Sequence, residues 1–306
     1  MSAFLVKGML GLGDNVYQRS IVRALAARAD VYLLTPWPEL YEDIPRVRFV
    51  AVETTLRTQG KNLARQQGRR WAVAPTGTRF LRIEYNSRLD RCKTMLASMA
   101  WTASSAPIAS MELPAFDPPA SVLAAAAGRP VAVVRPATVR AEWANPARNP
   151  KPEYLAQAAA ALREAGFFVA SIADLQDKAE WLVGDPPPAD LNLHRGELAV
   201  RELLGLVRIA AAVVGGVGWL VPVSVCYRTP CLILGGGAGG WNAPEIVVDP
   251  RWMPADQLTW VLPEPYCRCR DNRHACAKDV PDFGGRLEAW VRGLPGARGE
   301  AVAGAA

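Results

Sequence analysis

Short apolar runs alternate along the chain with longer stretches of helical periodicity, the pattern of a parallel sheet covered by helices. In the first part, strands are expected at residues 4–9, 31–35 and 47–52, and helices at 15–29 and 55–68. Pro36 and Pro38 stop the second strand. Residues 71–101 are polar and basic and have no firm period. Around residues 117–130 an Asp-Pro-Pro triplet precedes an alanine run, and the strand–helix alternation then restarts. Strands are expected at 131–135, 167–172, 212–215, 231–234 and 246–248. Helices are expected at 152–165, 197–211, 219–227 and 282–292. The chain therefore reads as an α/β protein of two domains, 1–120 and 121–292, with a flexible Gly/Ala tail at 293–306.

Composition adds two constraints. No uncharged apolar run reaches the roughly 18 residues that a membrane-spanning helix needs, so no transmembrane segment is expected. The first apolar stretch contains Lys7 and ends in Gly-Leu-Gly-Asp, which suits a buried strand better than a cleaved leader, so a cytoplasmic protein with reduced cysteines is expected. The formal charge of +6 is unevenly placed: ten cations and two acids lie between Arg57 and Lys93. Such a segment points to an anionic partner.

Three motifs carry candidate chemistry. Gly8-Met9-Leu10-Gly11-Leu12-Gly13-Asp14 leaves the first strand and enters the first helix, where glycines allow close approach to the backbone and the helix end favours negative charge. Its spacing differs from the dinucleotide fingerprint. Asp14 there reads either as a helix N-cap or as a catalytic carboxylate. Cys267, Cys269, His274 and Cys276 make a complete tetrahedral zinc set within ten residues, and free thiols are the alternative. Four protein ligands leave no open position, so such a zinc would be structural rather than catalytic. Gly235 to Gly240 with Trp241 leaves a strand at the carboxyl end of the second sheet, where ligands of such sheets bind.

Gly11-Leu12-Gly13-Asp14, with Arg23-Ala24-Leu25 in the helix behind it, resembles the opening of family 9 glycosyltransferases, the ADP-heptose:lipopolysaccharide heptosyltransferases. Leu193-x-x-Gly196-Glu197-Leu198, Arg201-Glu202-Leu203-Leu204, Val213 to Leu220 and Thr229 to Gly235 are similar to that family's approach to its donor loop. The likeness covers most of the chain, weakly over residues 53–120. Gly216-Val217-Gly218 stands where the family has Asp-Ser/Thr-Gly, and Trp219-Leu220 where it usually has a histidine.

The resemblance implies two Rossmann-like domains facing a cleft, the B-type glycosyltransferase fold, and a nucleotide sugar as co-substrate. It implies that Asp14 is the base on an acceptor hydroxyl in an inverting mechanism. Gly13, Gly216, Val217, Gly218, Gly236 and Trp241 are then expected at the donor, with Arg135 and Arg140, in the loop after the strand at 131–135, on its diphosphate. No Asp-x-Asp pair occurs, so no catalytic metal is expected. Arg57, Lys61, Arg65 and Arg69 recur every four residues without an acid on that face. Like charges at this spacing cost a helix about 0.2–0.5 kcal/mol per pair, which an anionic acceptor would offset. DNA with a hydroxymethylated base, as in phage DNA modification, is the favoured acceptor; lipopolysaccharide core is the alternative. An inactive nucleic-acid-binding module is the reading from another class.

Overall fold

A computed structural model of the chain describes residues 3–104 and 106–297. It divides into two compact units, Met1–Pro114 with Pro244–Ala255, and Ala115–Ala243 with Asp256–Ala306.

The first unit holds β1 (Ala3–Lys7), α1 (Leu12–Ala26), β2 (Asp30–Leu34), β3 (Val47–Val50), α2 (Arg57–Ala64), β4 (Arg79–Arg82), α3 (Leu89–Cys92) and α4 (Met95–Thr102). Its four strands are parallel in the order β3-β2-β1-β4. Val6, Val31 and Leu33 are fully buried in the sheet, and Val16, Ile21, Val22 and Leu25 on α1 cover it at helical spacing. β4 lies in the stretch where the sequence has no firm period, and it is an edge strand exposing Phe80 between Arg79 and Arg82.

The second unit runs through α5 (Ala120–Ala126), β5 (Val131–Val134), β6 (Thr138–Arg140), α6 (Pro152–Glu164), β7 (Phe168–Ile172), β8 (Glu180–Leu182), β9 (Leu191–Leu193), α7 (Val200–Ile209), β10 (Ala212–Gly216), α8 (Leu220–Tyr227), β11 (Cys231–Leu234) and α9 (Gly239–Asn242). The chain then gives α10 (Pro244–Val247) to the first unit before returning for β12 (Leu258–Val261) and α11 (Phe283–Arg292). The main sheet is parallel, in the order β9-β7-β5-β10-β11-β12, while β6 and β8 pair antiparallel outside it. Counted within this unit, that order is 3-2-1-4-5-6, the order of the doubly wound dinucleotide fold, and the first unit repeats its first four places. The strands β5, β7 and β11 are buried along their whole length, which is why they read as continuous apolar runs rather than alternating ones.

Two expectations are corrected here. Residues 246–248 are not a strand: Pro244 opens the short helix α10, Val247 is buried in the first unit, and the edge of the second sheet is β12 instead. The tail is not loose from its first residue, because Leu294 is buried in the core cluster of the second unit; residues 298–306 lie outside the described residues. Among the described residues no helix is long and apolar enough to cross a membrane.

Candidate active site and metal cluster

In a doubly wound sheet the ligand crevice opens at the carboxyl ends of the strands where the order reverses. Those places are β1 beside β4 in the first unit, and β5 beside β10 in the second. The chain leaves β1 into Gly8–Gly11 and Asp14, leaves β5 into Arg135, and leaves β10 into Gly216–Gly218.

In the first unit, α1 begins at Leu12 with Gly11 as its N-cap. Asp14 is therefore not the cap residue; it stands in the first turn, after Gly13, with its carboxylate held at the positive end of the helix. Gly11 leaves room for that carboxylate: a Cβ there would come within 2.5 Å of Asp14 Oδ2, and Asp14 would have to turn away. Beneath the turn lies a buried polar network that sequence reasoning missed. Asn15 Nδ2 donates to the carbonyls of Met9 (2.9 Å) and Gly11 (2.8 Å), fixing the loop from below. Asn15 Oδ1 accepts from Gln18 Nε2 (2.7 Å), Thr35 Oγ1 (2.8 Å) and the Tyr41 hydroxyl (3.0 Å). Burial pushes the Tyr41 phenol up, the Gln18 hydrogen bond and Arg19 lower it, and the nearby Asp14 charge raises it further. One turn on, buried Arg19 is held by both carboxylate oxygens of Asp43 and by the Glu112 carbonyl. A run of Asn, Gln and Arg at the start of a helix looks like a solvated face, and the sequence carries no sign that it points inward.

In the second unit, Gly216 and Gly218 flank Val217, whose side chain is buried, so the turn presents backbone outward. The N-terminus of α8 follows, and no side chain caps it. Gly215 admits nothing larger: a Cβ would lie 2.5 Å from Leu220 Cδ1 and 3.3 Å from Arg135 Cβ. Arg135 Nη1 lies 3.6 Å from the point where a Cβ on Gly218 would stand. Among the described residues the Arg135 guanidinium makes no hydrogen bond or ion pair. Burial, then the neighbouring Arg140 and Arg148 charges, push it down to about 10, with Glu180 opposing. Arg135 is thus a charged, partly enclosed donor group beside a glycine turn and a helix N-terminus, features that each favour negative charge nearby.

Arg140 differs from its expected place. It lies in β6 rather than a loop, and its Nε is 2.8 Å from Glu180 Oε2, while Thr138 Oγ1 donates to the other oxygen at 2.8 Å. That pairing directs the buried Glu180 oxygens to Arg140 and Thr138, so Glu180 acts on Arg135 by its charge and not by a hydrogen bond. Gly236 is buried against backbone, 2.2 Å from its Cβ position to the Asn149 carbonyl oxygen. The Trp241 indole donates to the Arg270 carbonyl (3.0 Å), and the Arg270 guanidinium lies 4.7 Å from the indole ring centre.

The basic stripe also changes. α2 ends at Ala64, so Arg57 and Lys61 are helical, Arg65 is the C-cap and Arg69 lies beyond. Arg69 Nη2 is 2.5 Å from Glu42 Oε1, and its guanidinium lies 5.2 Å from the Phe49 ring centre. Arg88 and Arg91 lie over Trp101 at 4.3 and 5.5 Å.

The ligating atoms of Cys267, Cys269, His274 and Cys276 all lie within 4.8 Å of one another. A tetrahedral metal with bonds of about 2.3 Å to sulfur and about 2.0 Å to nitrogen needs S···S near 3.8 Å and S···N near 3.5 Å. Cys269 and Cys276 sulfurs are 3.5 Å apart, and His274 Nδ1 is 3.6 Å from Cys267 Sγ and 3.3 Å from Cys276 Sγ. The residues fit a bound zinc or iron ion.

No protein-family model matches the chain, and no curated protein matches it by sequence. Solved structures do. The dodecameric iron-containing heptosyltransferase TibC in complex with ADP-D-β-D-heptose is 13% identical, with a TM-score of 0.62 over 95% of this chain and 75% of that one; TibC of enterotoxigenic E. coli H10407 matches nearly as well, at 0.61. The E. coli ADP-heptose lipopolysaccharide heptosyltransferase II is 15% identical, with a TM-score of 0.52 over 94% of this chain and 99% of that one. The family 9 glycosyltransferase of Veillonella parvula DSM 2008 is 10% identical, with a TM-score of 0.50 over 86% and 87%. At these identities the likeness establishes the fold: the chain is built of two Rossmann-like α/β units, as those transferases are.

Proposed function

We propose that the chain is a nucleotide-sugar-dependent glycosyltransferase related to family 9, with Asp14 as acceptor base and the Arg135–Gly218 region as the donor-diphosphate site. The observation that carries this reading is Arg135, a cation whose guanidinium is hydrogen-bonded to no carboxylate, placed at the strand-order reversal beside a glycine turn. The shared fold supports it. In the proposed reaction the acceptor hydroxyl oxygen bonds to the sugar's anomeric carbon as its bond to the nucleoside diphosphate breaks. Asp14 accepts the hydroxyl proton, and the negative charge left on the diphosphate falls to Arg135 and the amides of Gly216 and Gly218. Val217 supports the turn from within. A metal held by Cys267, Cys269, His274 and Cys276 would supply rigidity, since four protein ligands leave no position for substrate.

For the acceptor, a lipopolysaccharide-core-like saccharide is favoured, by analogy with the E. coli ADP-heptose lipopolysaccharide heptosyltransferase II. Hydroxymethylated DNA rests on the basic segment from Arg57 to Lys93, in which Arg69 is paired with Glu42 and Arg88 and Arg91 stack on Trp101. Incubation of the protein with a panel of ADP-, UDP-, GDP- and dTDP-sugars and either acceptor, read by mass spectrometry, tests both. Sugar addition to the saccharide supports the favoured acceptor. Addition to DNA replaces it, and no turnover of any donor overturns the transferase reading.

A further inference from the structure

We infer that the metal cluster is a strut for the anion site: a metal on Cys267, Cys269, His274 and Cys276 fixes the 236–241 loop and the 145–150 turn, and so sets affinity for a nucleoside diphosphate. This rests on the reading of the Arg135 region as the donor site.

The cluster and the glycine loop are one backbone assembly. Gly239 N donates to the Cys267 carbonyl (2.9 Å) and Gly240 N to the Cys269 carbonyl (3.0 Å). The Trp241 indole donates to the Arg270 carbonyl, and the Ala238 amide faces the Cys276 sulfur. Gly237 is pressed so closely on Cys276 that a Cβ would stand 2.2 Å from its sulfur. Ala238 is left-handed, at φ 52°, and fully buried, a backbone conformation that disfavours an L-residue and persists only where the surroundings hold it. The ligand loop therefore holds a strained segment in place.

The same loop grips the turn that carries Arg148. Ala147 N donates to the Asn272 carbonyl (3.0 Å), Lys278 Nζ to the Pro146 carbonyl (2.7 Å), and Gly237 N to the Ala147 carbonyl (2.6 Å). This turn in turn touches the anion site. A Cβ on Gly216 would lie 3.1 Å from Pro150 Cδ, and Arg148 is one of the two cations that act on Arg135. Contact thus runs without a gap from the ligand loop through Gly237 and Ala147 to Pro150 and Gly216. The loop from 262 to 282 contains no helix or strand of its own, so a metal on its four ligands would add a cross-link that regular secondary structure does not supply there.

The test uses the full chain, its metal measured by mass spectrometry, then stripped with a chelator and reloaded with Zn²⁺ or Fe²⁺. Amide exchange should rise about tenfold or more in 145–150 and 236–241 on stripping, stay level in β1 and α1, and recover on reloading. Affinity for ADP, UDP or pyrophosphate should fall about tenfold with it. Cys276→Ser should lose metal and Cys92→Ser should keep it; should Cys276→Ser fail to fold, stripping of the wild-type chain gives the same reading. A chain that binds neither metal, or whose exchange in these segments ignores stripping, overturns the strut. Exchange that responds to metal while no probe binds in either state supports the strut and removes the donor reading.

Discussion

The turn from β1 into α1 and the turn from β10 into α8 each lie where the strand order of their own sheet reverses, after the first strand of one unit and the fourth strand of the other, and both use glycine to bring backbone to the surface. They differ in what lies beneath and beside them. The first is seated on buried polar groups, Asn15, Gln18, Thr35 and Tyr41, and carries a carboxylate. The second is seated on apolar packing, Val217 and Leu220, and faces an arginine hydrogen-bonded to no carboxylate. Under the proposed reading, a glycine turn at the reversal of each sheet serves a proton acceptor in one unit and an anion in the other, and the charge beside each turn is what distinguishes them.

Exchanging those charges breaks the comparison most sharply. Asp14→Asn should lower turnover by about 10²–10⁴, the usual worth of a general base, and leave nucleoside diphosphate affinity unchanged. Single-turnover kinetics with a separate binding titration checks both halves. Arg135→Gln should do the converse, weakening nucleoside diphosphate binding roughly ten- to hundredfold by calorimetry, the loss of a charged hydrogen bond of about 1.5–3 kcal/mol. If Arg135→Gln binds as tightly as the wild type, the second turn is not the anion site.

The supports beneath the turns should separate as well. Asn15→Ala leaves Gln18, Thr35 and Tyr41 without their common acceptor and should destabilise the first unit by about 1–3 kcal/mol in urea unfolding. The smallest effect is at acid pH. Burial raises the Asp249 carboxyl, but hydrogen bonds from Arg251 and Thr94 outweigh it, so its net shift is downward. Its contribution is complete above the ordinary aspartate range near pH 3.9 and is lost as pH falls through the lowered folded value. Asp249→Asn should therefore flatten the fall in melting temperature between pH 5 and 3.

Much of this was legible in the sequence where burial is one-sided. The strands 131–134, 168–172 and 231–234 read directly because an all-buried strand must be an apolar run, and the glycine turns read because only glycine tolerates such contact. β4 did not, since an exposed edge strand, Arg79-Phe80-Leu81-Arg82, has the composition of a loop. Residues 246–248 misled for the opposite reason: three apolar residues bury as well in a helical turn as in a strand, and Pro244 decided for the turn. The basic stripe followed helical spacing past the point where α2 stops, and spacing alone cannot see that Arg69 finds Glu42. The Asn15 network was invisible because polar residues reveal nothing about which way they face.

The direct test of the account is donor turnover by the purified protein. It predicts that at least one nucleotide sugar yields free nucleoside diphosphate when a saccharide or DNA acceptor is present, and that Asp14→Asn and Arg135→Gln each suppress this release. Release at the wild-type rate by both variants, or none by the wild type across the panel, would contradict it.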